Sequence, residues 1–244
     1  MTNEYCLSPM TIDEIKNLVG TTFISSFQKE MDSILKPLQK HIEKGRPLSL
    51  GKEIWEYAIS DSIVNGEWCG AGSNIVDVKI GNDIGIDVKS ISISGNKTNS
   101  SSMYQTFYGE TKKHFDNNNT ENLWDLFVNG WYNKTTSIKN YYLMAIIRER
   151  ETLDCSLCCF KLNPNIPVVY SNNLRKLNKK TMKVDGIVSD EYAHMVVYVS
   201  KTRLEISFKK KLWESKNHTL KIYKNPWSTQ SNLIKFFISD PVSA

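Results

Sequence analysis

Three charged side chains, Asp77, Asp87 and Lys89, lie in two short runs of alternating apolar residues between positions 75 and 89. The two runs are separated by Gly-Asn-Asp at positions 81–83. Carboxylate oxygens are the ligands that Mg²⁺ takes from proteins, and a lysine ammonium beside them can contact a water or a phosphate oxygen. Two acids and a lysine of this kind indicate metal-assisted hydrolysis of a phosphodiester bond.

The alternation of apolar and charged residues determines how the two runs pair. It predicts an antiparallel hairpin with a loop of three residues, because a two-residue loop would set apolar side chains against charged ones. In this register one face is apolar, formed by the pairs Ile80 with Ile84, Val78 with Ile86 and Val76 with Val88. On the other face Lys79 lies opposite Gly85, Asp77 opposite Asp87 and Ile75 opposite Lys89.

The predicted pairing places two carboxylates directly across from each other. Opposed residues have Cβ atoms about 4.5 to 5.5 Å apart, where like charges destabilise a sheet. A shared divalent cation removes that cost, so Asp77 and Asp87 are predicted to bind one Mg²⁺, with Lys89 on the same face. The alternative is an ordinary hairpin with solvated charges, since acid-x-Lys triplets recur at 110–112 and 214–216.

This arrangement resembles the PD-(D/E)XK nuclease superfamily, whose signature is an acidic residue at a strand end and Asp/Glu-x-Lys on the next strand. The match assigns Asp77 to the first acid, Asp87 to the second and Lys89 to the lysine. Val76 stands where a proline often precedes the first acid. The resemblance covers positions 51–93 directly, and the remainder of the chain only by the order of its elements.

Many members of this superfamily carry a further glutamate on a helix before the hairpin, within a segment that opens with glycine. The segment from Gly51 to Glu56 is similar, and Glu56 is the predicted additional catalytic residue, with Glu53 as the alternative. The two glutamates are three residues apart, so they lie on one side of a helix.

The resemblance implies a Mg²⁺ ion held by Asp77, Asp87 and the backbone carbonyl of Val88. Lys89 would orient or activate the attacking water, and the expected products carry 5′-phosphate and 3′-hydroxyl ends.

The superfamily includes restriction enzymes, repair nucleases and junction resolvases, so the fold alone does not decide the biological role. The motif needs only part of the 244 residues, and the remaining strands and polar loops suit contact with duplex DNA. We therefore expect a type II restriction endonuclease that cuts double-stranded DNA at a short sequence as a homodimer, with a cognate DNA methyltransferase in the same system. The alternatives are a structure-selective or repair nuclease and a non-catalytic DNA-binding protein.

Two basic clusters, at 175–183 and 201–211, are candidate phosphate-binding surfaces. The predicted DNA-binding residues are Lys176, Lys179, Lys180, Arg203 and Lys209. Polar loops predicted at 94–102, 116–122 and 171–183 could contact base edges. The alternative for each is an ordinary solvated surface.

Residues 1–244 are interpreted as a single domain, mainly helical over 1–66, with the catalytic hairpin at 75–93 and the remaining sheet, helices and DNA-contacting loops over 94–244. Thr11 and Glu14 have the spacing of a capping box, so a helix is predicted after Met10. Further helices are predicted over 23–42, with a break at Pro37, and over 50–64, 104–115, 123–131 and 228–237. Strands are predicted over 141–147, 155–162, 195–199, 204–208 and 219–223. The order of elements predicts an α/β or α+β fold in which a central mixed sheet is flanked by helices, as in the restriction-endonuclease-like core.

The composition is that of an ordinary globular protein, with 40% hydrophobic and 23% charged residues and a net charge of +5. No apolar run approaches the roughly 18 to 20 residues that a membrane-spanning helix needs. The five cysteines are an odd number, which favours reduced thiols and a cytoplasmic protein. Cys155 and Cys158 have the spacing of half a zinc site, but without a matching second pair they are predicted to be buried in the core.

Overall fold

The computed structural model describes residues 5–40, 50–70, 76–94, 97–98, 101–102, 138–149, 152–163, 174–178, 181–198 and 203–227. The helices predicted at 104–115, 123–131 and 228–237 and the loop predicted at 116–122 lie outside these residues. In the described ranges, no helix is long and apolar enough to cross a membrane.

Three helices form one layer of the molecule. Helix α1 covers Ile12–Val19, α2 covers Phe23–Leu35 and α3 covers Lys52–Ser62. The predicted capping box is confirmed: Thr11 caps α1, and Glu14 accepts a hydrogen bond from the Thr11 backbone N–H at 2.7 Å. The chain leaves α2 through a 3₁₀ turn at Lys36–Leu38, where Pro37 removes a helical backbone donor.

The residues described above form thirteen strands along the sequence. They are β1 (Leu7–Pro9), β2 (Gly66–Trp68), β3 (Val78–Ile80), β4 (Ile84–Ser94), β5 (Lys97–Thr98), β6 (Ser101–Ser102), β7 (Asn140–Glu149), β8 (Cys155–Leu162), β9 (Leu174–Asn178), β10 (Thr181–Val184), β11 (Ala193–Tyr198), β12 (Arg203–Phe208) and β13 (Leu220–Tyr223). A short helix, α4, covers Lys210–Trp213 between β12 and β13.

A mixed sheet of eight strands forms the centre of the fold, as the sequence predicts. Its strand order is β1-β8-β7-β4-β3-β2, with β13 also paired to β8 and β5 to β4. Strands β4 and β7 are parallel, and the other pairs are antiparallel. The long central strands β4 and β7 pair from Ile84 with Asn140 to Ile93 with Glu149, so they support the middle of the sheet.

A second sheet of five antiparallel strands, in the order β6-β12-β11-β10-β9, was not predicted. Two segments interpreted as loops contribute strands to the structure. Positions 94–102 contain β5 and β6, and positions 171–183 contain β9 and most of β10. The prediction was wrong there because short strands in polar segments lack the clear alternation that marks a half-buried strand.

The core lies on both faces of the central sheet. One face carries Val88 and Met144 and packs against the helices through Phe23, Phe27 and Trp55. The opposite face packs against the second sheet, where the rings of Phe160 and Phe208 stack with centroids 5.5 Å apart. The fold is therefore a mixed α/β arrangement of three layers, with helices, the central sheet and the second sheet in that order.

The buried cysteines follow this layering. Cys155 and Cys159 belong to the core on the helical face, whereas Cys158 belongs to the core between the sheets. Burial raises the pKa of both Cys155 and Cys158 to about 12, so both remain thiols at neutral pH. The prediction that these cysteines are buried in the core is confirmed.

Candidate active site

The hairpin of β3 and β4 has the predicted loop and register over its first three pairs. These pairs are Ile80 with Ile84, Lys79 with Gly85 and Val78 with Ile86. The ladder then becomes irregular, because the backbone N–H of Asp77 donates to the carbonyl of Ile86 at 3.0 Å. Asp77 therefore lies just before β3 rather than inside it.

The predicted pair of Val76 with Val88 does not form. Val88 packs on the helical face of the sheet, whereas Val76 belongs to the core between the two sheets. Gly85 explains this displacement, since a Cβ atom there would lie only 2.7 Å from Cγ1 of Val76. The missing side chain leaves space that Val76 fills, and the backbone at Asp77 shifts with it.

The two aspartates nevertheless meet. Because β3 begins only at Val78, the backbone N–H of Val88 has no strand opposite it on that side, and Oδ2 of Asp77 accepts this N–H at 2.7 Å. That bond brings the carboxyl group of Asp77 within hydrogen-bonding reach of the carboxyl group of Asp87. The acids converge by a bend at the strand end rather than by the regular cross-strand pairing that the sequence predicts.

Asp87 and Lys89 are buried in β4, with only 3% and 4% of their surfaces exposed. Nζ of Lys89 donates to Oδ1 of Asp87, and the hydroxyl of Tyr141 donates to Oδ2 at 3.0 Å. Tyr141 comes from β7, the parallel neighbour of β4. These charges are not the solvated side chains of an ordinary hairpin, because charged groups are buried only where partners offset the loss of water.

The two neighbouring carboxyl groups are difficult to ionise together, and the pKa of Asp77 is raised as a result. Burial, the negative charge of Asp87 and the hydrogen bond between the two carboxyl groups raise that pKa from 3.8 to about 7, although Lys89 and Lys52 act in the opposite direction. Near neutral pH the two acids therefore hold a proton between them for part of the time. A cation that bound both would replace that proton.

Glu56 reaches the edge of this site from the helical layer. It lies in α3 with 2% of its surface exposed, and its Oε2 accepts a hydrogen bond from Nε1 of Trp68 at 3.2 Å. Oε1 lies 2.7 Å from Nζ of Lys52, although the angle of approach is not that of a hydrogen bond. Glu53, the alternative to Glu56, is exposed in the first turn of α3.

Two residues of the site, Lys52 and Tyr141, were not predicted from the sequence. Nζ of Lys52 lies 3.6 Å from Oδ1 of Asp77 and so links Asp77 to Glu56. Its position four residues before Glu56 is a recognisable helical ion-pair spacing. The role of Tyr141 depends on which strand lies beside β4, and the sequence of β4 does not specify that neighbour.

The donor groups at the site suit a small, hard cation. Asp77 and Asp87 provide carboxylate oxygens, each able to accept more than one partner, and Mg²⁺ is commonly held by one or two carboxylates while it keeps several waters. Among the residues that the structure describes, no group of three or more His, Cys, Asp or Glu side chains is placed to hold a metal ion. A cation here would depend on the two aspartates, backbone oxygen and water.

Three of the five predicted DNA-binding residues lie in or beside the second sheet. Lys176 is in β9 and Arg203 begins β12, both described by their backbones alone, while Lys179 and Lys180 lie outside the described residues. Lys209 follows β12, is exposed, and donates from Nζ to the backbone carbonyl of Asp190. Because β10 pairs with β11 and β11 with β12, the described strands of the two basic clusters belong to one sheet.

Comparisons of this chain with protein-family models, with curated proteins and with solved structures find no match.

Proposed function

We propose that the protein is a Mg²⁺-dependent nuclease of the PD-(D/E)XK type that hydrolyses phosphodiester bonds of double-stranded DNA. The observation that supports this most is the meeting of the Asp77 and Asp87 carboxyl groups at the start of β3, with Lys89 buried against Asp87. A purely structural hairpin gains nothing from two adjacent acids, which raise each other's cost of ionisation.

The side chains present fit a Mg²⁺ ion. Asp77, Asp87 and the backbone carbonyl of Val88 would hold it. The raised pKa of Asp77 reflects burial first and then repulsion from Asp87, and a bound cation would offset both. When bound, Mg²⁺ would neutralise charge that develops on the phosphate and would lower the pKa of a bound water.

Each side chain of the chain itself has a defined part in this scheme. Tyr141 fixes the orientation of Asp87 through the 3.0 Å hydrogen bond to Oδ2. Lys89 holds its ammonium group against Oδ1, where it orients the attacking water and stabilises negative charge. The burial of both residues of this pair keeps bulk water away, which strengthens their electrostatic effect on a reacting phosphate.

Within this class we propose a type II restriction endonuclease, acting in the cytoplasm as a homodimer beside a cognate DNA methyltransferase. The second sheet supports contact with duplex DNA, because it adds two basic clusters to a core that already contains the candidate site. A two-fold dimer would place two such sites on the two strands of a palindrome.

Incubation of unmethylated plasmid with the purified protein and Mg²⁺ tests this proposal, followed by sequencing of the new ends. We expect discrete fragments with 5′-phosphate ends, and no cleavage in the presence of EDTA. Asp87→Asn should abolish cleavage, whereas the matched control Asp83→Asn, in the exposed turn of the same hairpin, should cut like the wild type.

The alternatives give different results in the same assay. A structure-selective or repair nuclease would degrade or nick the plasmid without a fixed sequence at the ends. A non-catalytic DNA-binding protein would retard the plasmid on a gel but leave it intact.

A further inference from the structure

Lys52 occupies a distinctive position at the solvent side of the candidate site. Its side chain is 50% exposed, whereas the side chain of Lys89 is 5% exposed and its ammonium group is directed at Asp87. A phosphodiester that approaches from solvent would therefore meet the positive charge of Lys52 before that of Lys89.

The ammonium group of Lys52 is held in place from two sides. Its Nζ lies 2.7 Å from Oε1 of Glu56 and 3.6 Å from Oδ1 of Asp77. Glu56 is itself fixed by the indole N–H of Trp68. This chain of contacts orders a long side chain that would otherwise move freely in solvent, so less entropy is lost when Lys52 binds a ligand.

These two contacts leave Lys52 with unused binding capacity. An ammonium group has three N–H donors, and the two carboxylates take at most two directions. The third can reach an oxygen atom of a bound phosphate.

We infer that Lys52 binds a non-bridging oxygen of the scissile phosphate, and that Glu56 is a positioning residue that holds Lys52 in place rather than a ligand of the metal. This inference rests on the proposed nuclease function, because it uses Asp77 and Asp87 as the groups that would hold the Mg²⁺ ion beside the phosphate. It gives the site a substrate-binding cation on α3 in addition to the buried Lys89.

Binding of a fluorescently labelled DNA duplex, measured by anisotropy in Ca²⁺ at several salt concentrations, tests the inference. Lys52→Ala should weaken binding about tenfold, as expected for a lost hydrogen bond between charged groups, and should reduce the slope of log K against log salt by about 1. Lys52→Arg should retain most of the affinity. Glu56→Gln should weaken binding less than Lys52→Ala, since the lysine remains but is less well ordered.

Lys221→Ala is the matched control, because Lys221 is an exposed lysine on β13, which pairs with β8 and not with β3 or β4. It should bind DNA like the wild type. Thermal unfolding of each variant shows whether the folded state persists, and cleavage kinetics with Mg²⁺ should show a raised KM for Lys52→Ala.

The possible results separate the two proposals. If the wild type cuts DNA and Lys52→Ala binds and cuts equally well, the inference about Lys52 is wrong and the nuclease function stands. Equal losses in Lys52→Ala and Lys52→Arg with an unchanged salt slope would also overturn it. A wild type that binds duplex DNA without cutting it contradicts the nuclease proposal, and one that does not bind contradicts both.

Discussion

Replacement of Asp77 by asparagine should stabilise the metal-free protein, and more so at alkaline than at acidic pH. The amide keeps an oxygen that can accept the Val88 N–H, and it offers an N–H to Asp87 in place of a second negative charge. Replacement of an ordinary surface residue usually changes stability by no more than about 0.5 kcal/mol, so a larger increase would be specific to this pair of acids.

The sign and size follow from the pKa of Asp77, which is raised from 3.8 to about 7 in the folded protein. The folded wild type binds a proton that the unfolded chain releases, so its stability falls as the pH rises from 3.8 to about 7 and is level above that. As the pH rises from 5 to 8, ionisation of Asp77 should lower the free energy of unfolding by about 2 to 3 kcal/mol. The loss is about 1.36 kcal/mol for each pH unit and ends near the pKa of about 7. For a chain of this length that corresponds to roughly 5 to 10 °C in Tm.

Thermal unfolding at pH 5 and pH 8 in EDTA measures the effect, with Asp83→Asn as the control for removal of an exposed carboxylate from the same hairpin. The difference in Tm between Asp77→Asn and the wild type should be larger at pH 8. Addition of Mg²⁺ at ten times its dissociation constant should stabilise the wild type by about 1.4 kcal/mol and Asp77→Asn by less. A variant that unfolds below the wild type at pH 8, or a Tm difference independent of pH, would refute this electrostatic description of the site.

Three other changes have expected outcomes. Tyr141→Phe removes the hydrogen bond to Asp87, so the Mg²⁺ concentration for half-maximal cleavage should rise about tenfold. An unchanged Mg²⁺ dependence would show that Tyr141 does not position Asp87. Gly85→Ala brings a Cβ atom to 2.7 Å from Val76, so it should lower the free energy of unfolding in urea by about 1 to 3 kcal/mol and should reduce cleavage. Normal activity of this variant would mean that the bend at the hairpin is not required. Phe27→Ala removes a fully buried ring between the helices and the sheet and should cost about 3 to 5 kcal/mol, and a loss below 1 kcal/mol would contradict the core described here.

The candidate site illustrates what an amino-acid pattern can predict. Strand pairing within a hairpin is local, and the period-two alternation around residues 81–83 was enough to place Val78 opposite Ile86. The same local pattern predicted that two acids would be close. The strands at 141–147 and 155–162 were also predicted, because their side chains form long apolar runs in the middle of a buried sheet.

Other features depend on contacts between distant parts of the chain. The bend that moves Val76 away from Val88 follows from the space above Gly85, which a pairing rule does not consider. Tyr141 reaches Asp87 because β7 lies parallel to β4, and Lys52 reaches Asp77 because α3 packs on the same strand end. The second sheet was missed because its outer strands have little alternation of polar and apolar residues.

Titration with Mn²⁺, monitored by electron paramagnetic resonance, measures whether Asp77 and Asp87 share one divalent cation. The free ion has a strong signal that diminishes on binding, so the number of sites per chain can be counted without DNA. We predict one site in the wild type, competed by Mg²⁺, retained in Asp83→Asn and lost in Asp87→Asn. Equal Mn²⁺ binding by the wild type and Asp87→Asn, or no binding by either, would contradict it.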